Sequence, residues 1–173
     1  KLLSTTLVLS SVLLLTNCKK EEQASPVSAE ATQSINLTDS VSKISATAPA
    51  ISSTAYDLTK SLPAGYVKDG SKDYTSYIQS ALNKYSQIVF PAFPILVSDK
   101  GLEIPSNRKI WFKTGSAIKL KPTSSYSYKI FEIKNRSNIT LVNPVIIGDR
   151  EKHLGTAGET GIGIKISGTS SKI

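Results

Sequence analysis

The chain has 173 residues, with 21 Lys plus Arg, 13 Asp plus Glu, one Cys and no Met. The single cysteine, Cys18, excludes an intramolecular disulfide and a cysteine-based zinc site. The net charge of +8 comes entirely from residues 61–173, where 16 basic side chains stand against 8 acidic ones, while residues 1–60 hold five of each. A basic folded part points to an anionic partner, against the plainer reading that the charge serves solubility.

Residues 2–15 are apolar apart from Ser and Thr. That run has the length of a signal-peptide core and is short for a membrane span. It ends in Leu15-Thr16-Asn17-Cys18, which resembles the lipobox of bacterial lipoproteins, with Asn17 bulkier than the small residue usual there. The resemblance implies cleavage before Cys18, diacylglyceryl transfer to its thiol and acylation of the new amine, a multi-chain anchor that holds stably. Residues 1–17 are therefore read as a signal peptide. Lys19-Lys20-Glu21-Glu22 follows and resembles the charged signal that sends some lipoproteins to the outer membrane and its outer face.

Residues 18–60 carry the lipidated cysteine and a spacer rich in Ser, Thr and Ala, with Pro26 and Pro49 and weak periodicity. Such a segment reads as a flexible tether. The folded domain is placed at 61–173. The lack of an initiator Met, and a strand-like pattern at 171–173 with no turn after it, are read as the expectation that the sequence is a fragment of a longer protein.

Within 61–173, Asp69-Gly70-Ser71 is turn-rich, and Asp73 is placed to cap a helix. Tyr74, Tyr77, Ile78, Ala81, Leu82 and Tyr85 give that helix one apolar face. Short β-rich runs follow at 87–90, 95–98, 101–104, 109–113, 117–121, 129–134, 138–142, 145–147 and 161–167, split by Pro, Gly, Ser and Asn. With no second helical pattern among them, a sheet built from βαβ units is disfavoured, and a sandwich, a barrel or a β-helix remains. Spacing then favours a solenoid: Asn107 to Asn138 is 31 residues and Asn138 to Ser171 is 33, each opening a similar short strand.

Asp69-Gly70-Ser71-Lys72-Asp73, Ile78-Gln79-Ser80-Ala81-Leu82 and Ile88-Val89-Phe90-Pro91 together resemble the opening of pectate-lyase-superfamily proteins. The likeness extends over about 65–173, departing at Ala92-Phe93-Pro94. It implies an all-β fold, the N-terminal coils of a right-handed parallel β-helix with an amphipathic capping helix. The helix makes physical sense there, because it would cover open strand edges and an open core.

The densest functional-looking stretch is Gly148-Asp149-Arg150-Glu151-Lys152-His153, with Glu159 beyond it. Asp149 and Glu159 have the chemistry to bind Ca²⁺ or a sugar hydroxyl, and Arg150, Lys152 and His153 to pair with uronate carboxylates. The plainer reading is a solvated loop whose charges pair locally. Trp111 reads either as a sugar-stacking platform or as packing, with packing favoured. Tyr126 and Tyr128 fall in a Ser-rich loop, and Asn135 and Asn138 read as turn and ladder residues. No catalytic residue can be assigned. The polygalacturonase and alginate-epimerase motifs are missing, and in such families the catalytic residues usually lie in later coils. The expected function is an envelope lipoprotein that binds and degrades an acidic polysaccharide, by a lyase or a glycoside hydrolase reaction. The alternative is a non-catalytic glycan-binding or adhesin-like protein. Nucleic acid is disfavoured as a partner by export, and a monomer is expected.

Overall fold

In the computed structural model, residues 48–156 and 160–173 are described. The signal peptide, Cys18, most of the spacer and Glu159 lie outside the described residues. The elements are β1 (Tyr56–Asp57), α1 (Thr75–Lys84), β2 (Gln87–Phe90), β3 (Pro94–Val97), β4 (Leu102–Glu103), β5 (Arg108–Phe112), β6 (Ala117–Leu120), β7 (Ser127–Lys134), β8 (Ile139–Val142), β9 (Ile146–Ile147) and β10 (Thr160–Ser167). Short 3₁₀ turns stand at Leu58–Ser61 and Arg150–Lys152.

The strands form three sheets. The first has the order β1-β2-β5-β8, the second β3-β6-β9 and the third β4-β7-β10. Every pairing between them is parallel. From β2 onward the chain visits the first, second and third sheets in turn, and repeats that circuit. All nine β-rich runs expected from the sequence are strands, with small shifts at their ends. The fold is mostly β with parallel sheets.

The circuit follows from side-chain alternation. Each inward column stacks apolar residues: Ile88 beside Ile110 and Leu141, Ile95 beside Ile118 and Ile146, Leu102 beside Phe131 and Ile164. Phe90 stacks on Phe112 with centroids 4.7 Å apart, and Phe131 meets Phe112 edge-on at 6.4 Å. These side chains share one core, and each fully buried Ile or Phe contributes about 1.5–3 kcal/mol. A short repeat unit can bury its apolar face only against its neighbours.

One end of the stack is closed by named contacts. β1 pairs with β2 and covers the first sheet. At the second sheet, Tyr74 N–H donates to Leu96 O at 3.0 Å, and Asp73 bridges Leu96 in parallel. At the third, the Gln79 amide donates to Glu103 O at 2.9 Å and accepts from Glu103 N–H at 2.8 Å. The helix buries Ile78, Ala81 and Leu82, as its stripe predicts, while Tyr77 stays exposed. The helix N-cap is Tyr74, which makes no side-chain capping bond, and Asp73 stands one residue earlier, where it accepts from Thr75 N–H at 2.9 Å and the Thr75 hydroxyl at 2.6 Å. At the other end of the helix, Arg108 donates to the carbonyls of Leu82 and Asn83 at 2.6 and 3.0 Å.

The turn between the third and first sheets is set by asparagine. Asn107 and Asn138 have φ of 59° and 57°, and Asn138 Nδ2 donates to Asn107 Oδ1 at 2.9 Å. Asn tolerates this left-handed backbone better than most residues. The ladder reading of Asn138 holds. The next rung, however, is Lys172 at φ 55° and not Ser171, because Ser171 bridges Ser137 and Ile139 N–H donates to Lys172 O. This rung therefore lies one residue beyond the spacing expected from the sequence.

The packed chain also begins earlier than residue 61. Leu58 is fully buried, Tyr56 stacks on Tyr85 at 3.5 Å, and Pro49 O accepts from Trp111 Nε1–H at 3.1 Å. Residues 49–60, assigned above to the spacer, include part of the fold. Their polar composition hid this, since one Leu and one Tyr carry the packing. Trp111 lies with Val89 and Val142 under Ala55, so it is a packing residue and not an exposed platform. Tyr128 belongs to β7 and is buried, while Tyr126 is exposed.

Candidate functional site

The outward column of the second sheet runs Leu96, Lys119, Ile147. It forms the floor of a groove of about 600 Å³, walled by the Gly70-Ser71 turn and by Gly148–Lys152. Leu96, Pro122 and Ile147 make the floor largely apolar, while Lys119, Arg150 and Lys152 supply three cations against the carboxylates of Asp149 and Glu151. Arg150, Glu151 and Lys152 are exposed.

The walls have local causes. In the first, Ser71 N–H donates to Asp69 Oδ1 at 2.9 Å and closes the turn. The Ser71 hydrogen bonds, helped by the charge of Lys119, hold the Asp69 carboxyl below its ordinary range. Gly70 has φ 69°, and a Cβ there would press on Lys119 Cδ and Pro94 at 3.2 Å. Glycine keeps the turn close to the floor.

The second wall is pinned by a buried polar cluster. Asp149, 4% exposed, accepts from Thr123 N–H through Oδ2 at 2.9 Å, and the same oxygen lies 3.1 Å from His153 Nδ1. The Tyr128 hydroxyl also favours the charged form of this carboxylate. Burial pushes the Asp149 carboxyl up, but these hydrogen bonds outweigh it, and the net direction is down. Its other oxygen, Oδ1, is buried without a hydrogen-bond partner. Beside it, Asp99 Oδ2 accepts from the hydroxyls of Thr123, at 2.8 Å, and Ser125, which hold its carboxyl low.

The sequence-derived candidates thus divide. Asp149 and His153 meet, but as a buried carboxylate and a partly buried imidazole that fix the loop, with His153 packed against Gly155. Arg150 stays free to line the groove. Glu159 lies outside the described residues. Among the described residues, no three His, Cys, Asp or Glu side chains converge as a metal site would require. Sequence reasoning missed Lys119 and Leu96. Their signal was present in the outward positions of runs 95–98 and 117–121, but only the parallel register places them side by side. Among the described residues no helix is long and apolar enough to cross a membrane.

Over 132 aligned residues the chain is 29% identical to "Uncharacterized protein YclG" of Bacillus subtilis (strain 168). The alignment takes in 63% of this chain and 23% of that protein, so the chain spans less than a quarter of the relative's length. No protein-family model and no solved structure matches the chain.

Proposed function

We propose that this chain belongs to an exported lipoprotein, anchored through Cys18 in the bacterial envelope, that binds an acidic polysaccharide through a right-handed parallel β-helix. The fold reading is supported by parallel strands that visit three sheets in strict rotation. The right hand is the one that strand twist favours for parallel crossovers. The opening motif and the capping helix add the resemblance to the pectate lyase superfamily.

The observation that carries the binding proposal is the position of Lys119. It stands mid-floor between two apolar side chains, with Arg150 and Lys152 on the wall. A uronate chain presents apolar ring faces and carboxylates, and this floor offers a surface for each. The plainer reading of the charge, solubility, predicts no such convergence on one groove. Degradation by β-elimination or hydrolysis is proposed for the whole protein, with catalytic groups supplied from outside these circuits. The alternative is a binding-only surface protein.

The test is affinity electrophoresis of the full chain in gels containing pectate, alginate or a neutral glucan. Retardation by a uronan, reversed by salt and weakened in Lys119→Ala, is the expected result. Equal mobility in all gels would remove the binding proposal. Release of an unsaturated uronate product by the full-length protein, with and without Ca²⁺, separates the lyase from the binding-only reading.

A further inference from the structure

A second basic groove lies on the outer face of the first sheet, and the function proposed above makes no use of it. Its floor is the outward column Gln87, Lys109, Thr140. Segment 48–55 forms one wall, fastened by the bond between Trp111 Nε1–H and Pro49 O. The stacked turn of Asn107, Asn138 and Lys172 forms the other. The groove encloses about 640 Å³.

Its electrostatics are one-sided. Arg108, Lys109 and Lys172 line it, and no carboxylate does. Arg108 is occupied by backbone carbonyls of the helix end and of its own turn. Lys109 and Lys172 have no ion-pair partner among the described residues, and Lys109 Nζ rests 4.9 Å from the Trp111 ring centroid. Around these two cations stand neutral hydrogen-bonding groups: Gln87, Thr140 and Asn138.

We propose that this groove is a second ligand site, for a saccharide chain bearing carboxylate, sulfate or phosphate groups. The anionic groups pair with Lys109 and Lys172, and the sugar hydroxyls with the carboxamides and Thr140. Adjacent rungs of a sheet are about 4.8 Å apart, close to the length of one pyranose unit, so successive sugars meet successive rungs. Single-stranded nucleic acid fits poorly. It requires an exposed aromatic for base stacking, and Trp111 is 2% exposed beneath its strap. The site shares no lining residue with the groove over the second sheet, so the two stand or fall separately.

Trp111 is the only tryptophan, and its emission reports on this groove and not on the other. The full chain would be titrated with oligogalacturonate, a heparin-derived sulfated oligosaccharide, a neutral oligosaccharide of equal length and inorganic phosphate. The expected result is a saturable change in Trp111 emission with a carboxylated or sulfated oligosaccharide. Half-saturation should rise about tenfold in Lys172→Asn and in Thr140→Glu, the loss of roughly one charge-assisted contact, and stay unchanged in Lys119→Ala. Lys172→Asn keeps a residue suited to the left-handed backbone, and Thr140 is exposed, so both variants should fold. The difference between the two anionic sugars identifies the charged group. Three outcomes would overturn the proposal: no saturable change with either anionic sugar, a change that survives intact in both variants, or an equal change with inorganic phosphate at matched charge. Loss of retardation in Lys119→Ala with the Trp111 response intact tests only the other groove.

Discussion

Gln79 offers Glu103 a carboxamide in place of a strand: its Nε2 donates to the Glu103 carbonyl at 2.9 Å and its Oε1 accepts the Glu103 N–H at 2.8 Å. Glu103 belongs to the outermost strand of the third sheet, whose free edge would otherwise template another chain. Helix α1 therefore covers the core with Ile78 and Leu82 and closes the sheet with one polar side chain. Gln79→Ala should lower unfolding stability by about 1–2 kcal/mol, the cost of two unmade backbone bonds tempered by solvent. Urea unfolding measures it. A change within error would mean that water replaces the amide at no cost.

Gly101 should be intolerant of any side chain. It has φ 68°, and a Cβ there would overlap the Lys129 carbonyl oxygen of the neighbouring circuit. Gly101→Ala should cost about 2–4 kcal/mol, from left-handed strain and displaced backbone together. Gly65, also at positive φ but with open space around it, is the control. Gly65→Ala should cost only the strain, about 1 kcal/mol.

Asp149 makes stability depend on acid. Its carboxyl lies below the ordinary range in the folded protein, so the folded state binds fewer protons than the unfolded chain. Its contribution is complete above the ordinary carboxylate value, about 4, and is lost as pH falls through the lowered folded value. Asp57, Asp69 and Asp99 are shifted the same way, so the comparison of wild type with Asp149→Asn isolates this group. The variant should lose less stability on acidification, as read from thermal midpoints across the acidic range. Parallel curves would show that the Thr123 and His153 contacts have no net effect.

Lys119→Ala should weaken uronan retention about fivefold to tenfold, the scale of one charged contact to an anion, without a change in thermal midpoint beyond a degree or two. Arg150→Ala, on the Gly148–Lys152 wall of the same groove, should act in the same direction and more weakly, because exposed pairs are screened. Retention that depends on neither residue would move the binding surface elsewhere.

Cys18→Ala, expressed from an initiator Met in a bacterial host, should abolish labelling by a palmitate analogue and release the protein from the membrane fraction. Labelling that persists in the variant would refute the lipobox reading.

How much was legible beforehand differs by element. The stripe Tyr74, Ile78, Ala81 and Leu82 announced the helix, because an i, i+4 pattern has one physical meaning at that length. The β-rich runs were equally plain, most of them followed directly by a Pro, Gly or Asn, residues that favour turns over strands. The site was not. Asp149 and His153 looked like exposed chemistry because they stood among charges, and they turned out to be the pin beneath the loop. Lys119 looked like an ordinary strand lysine.

The sequence by itself determined what local rules reach: the apolar run and Cys18, the helix, the strand positions and the asparagine turns. These depend on neighbours along the chain, and their periodicity survives without a fold. Only the tertiary structure decided that Trp111 is roofed by residues 48–55, that Gln79 closes a sheet edge, and which cations share a groove. Those relations join residues tens of positions apart through parallel register. Register is set by how the stacked Ile and Phe columns interlock, and a one-residue slip would send every side chain to the opposite face.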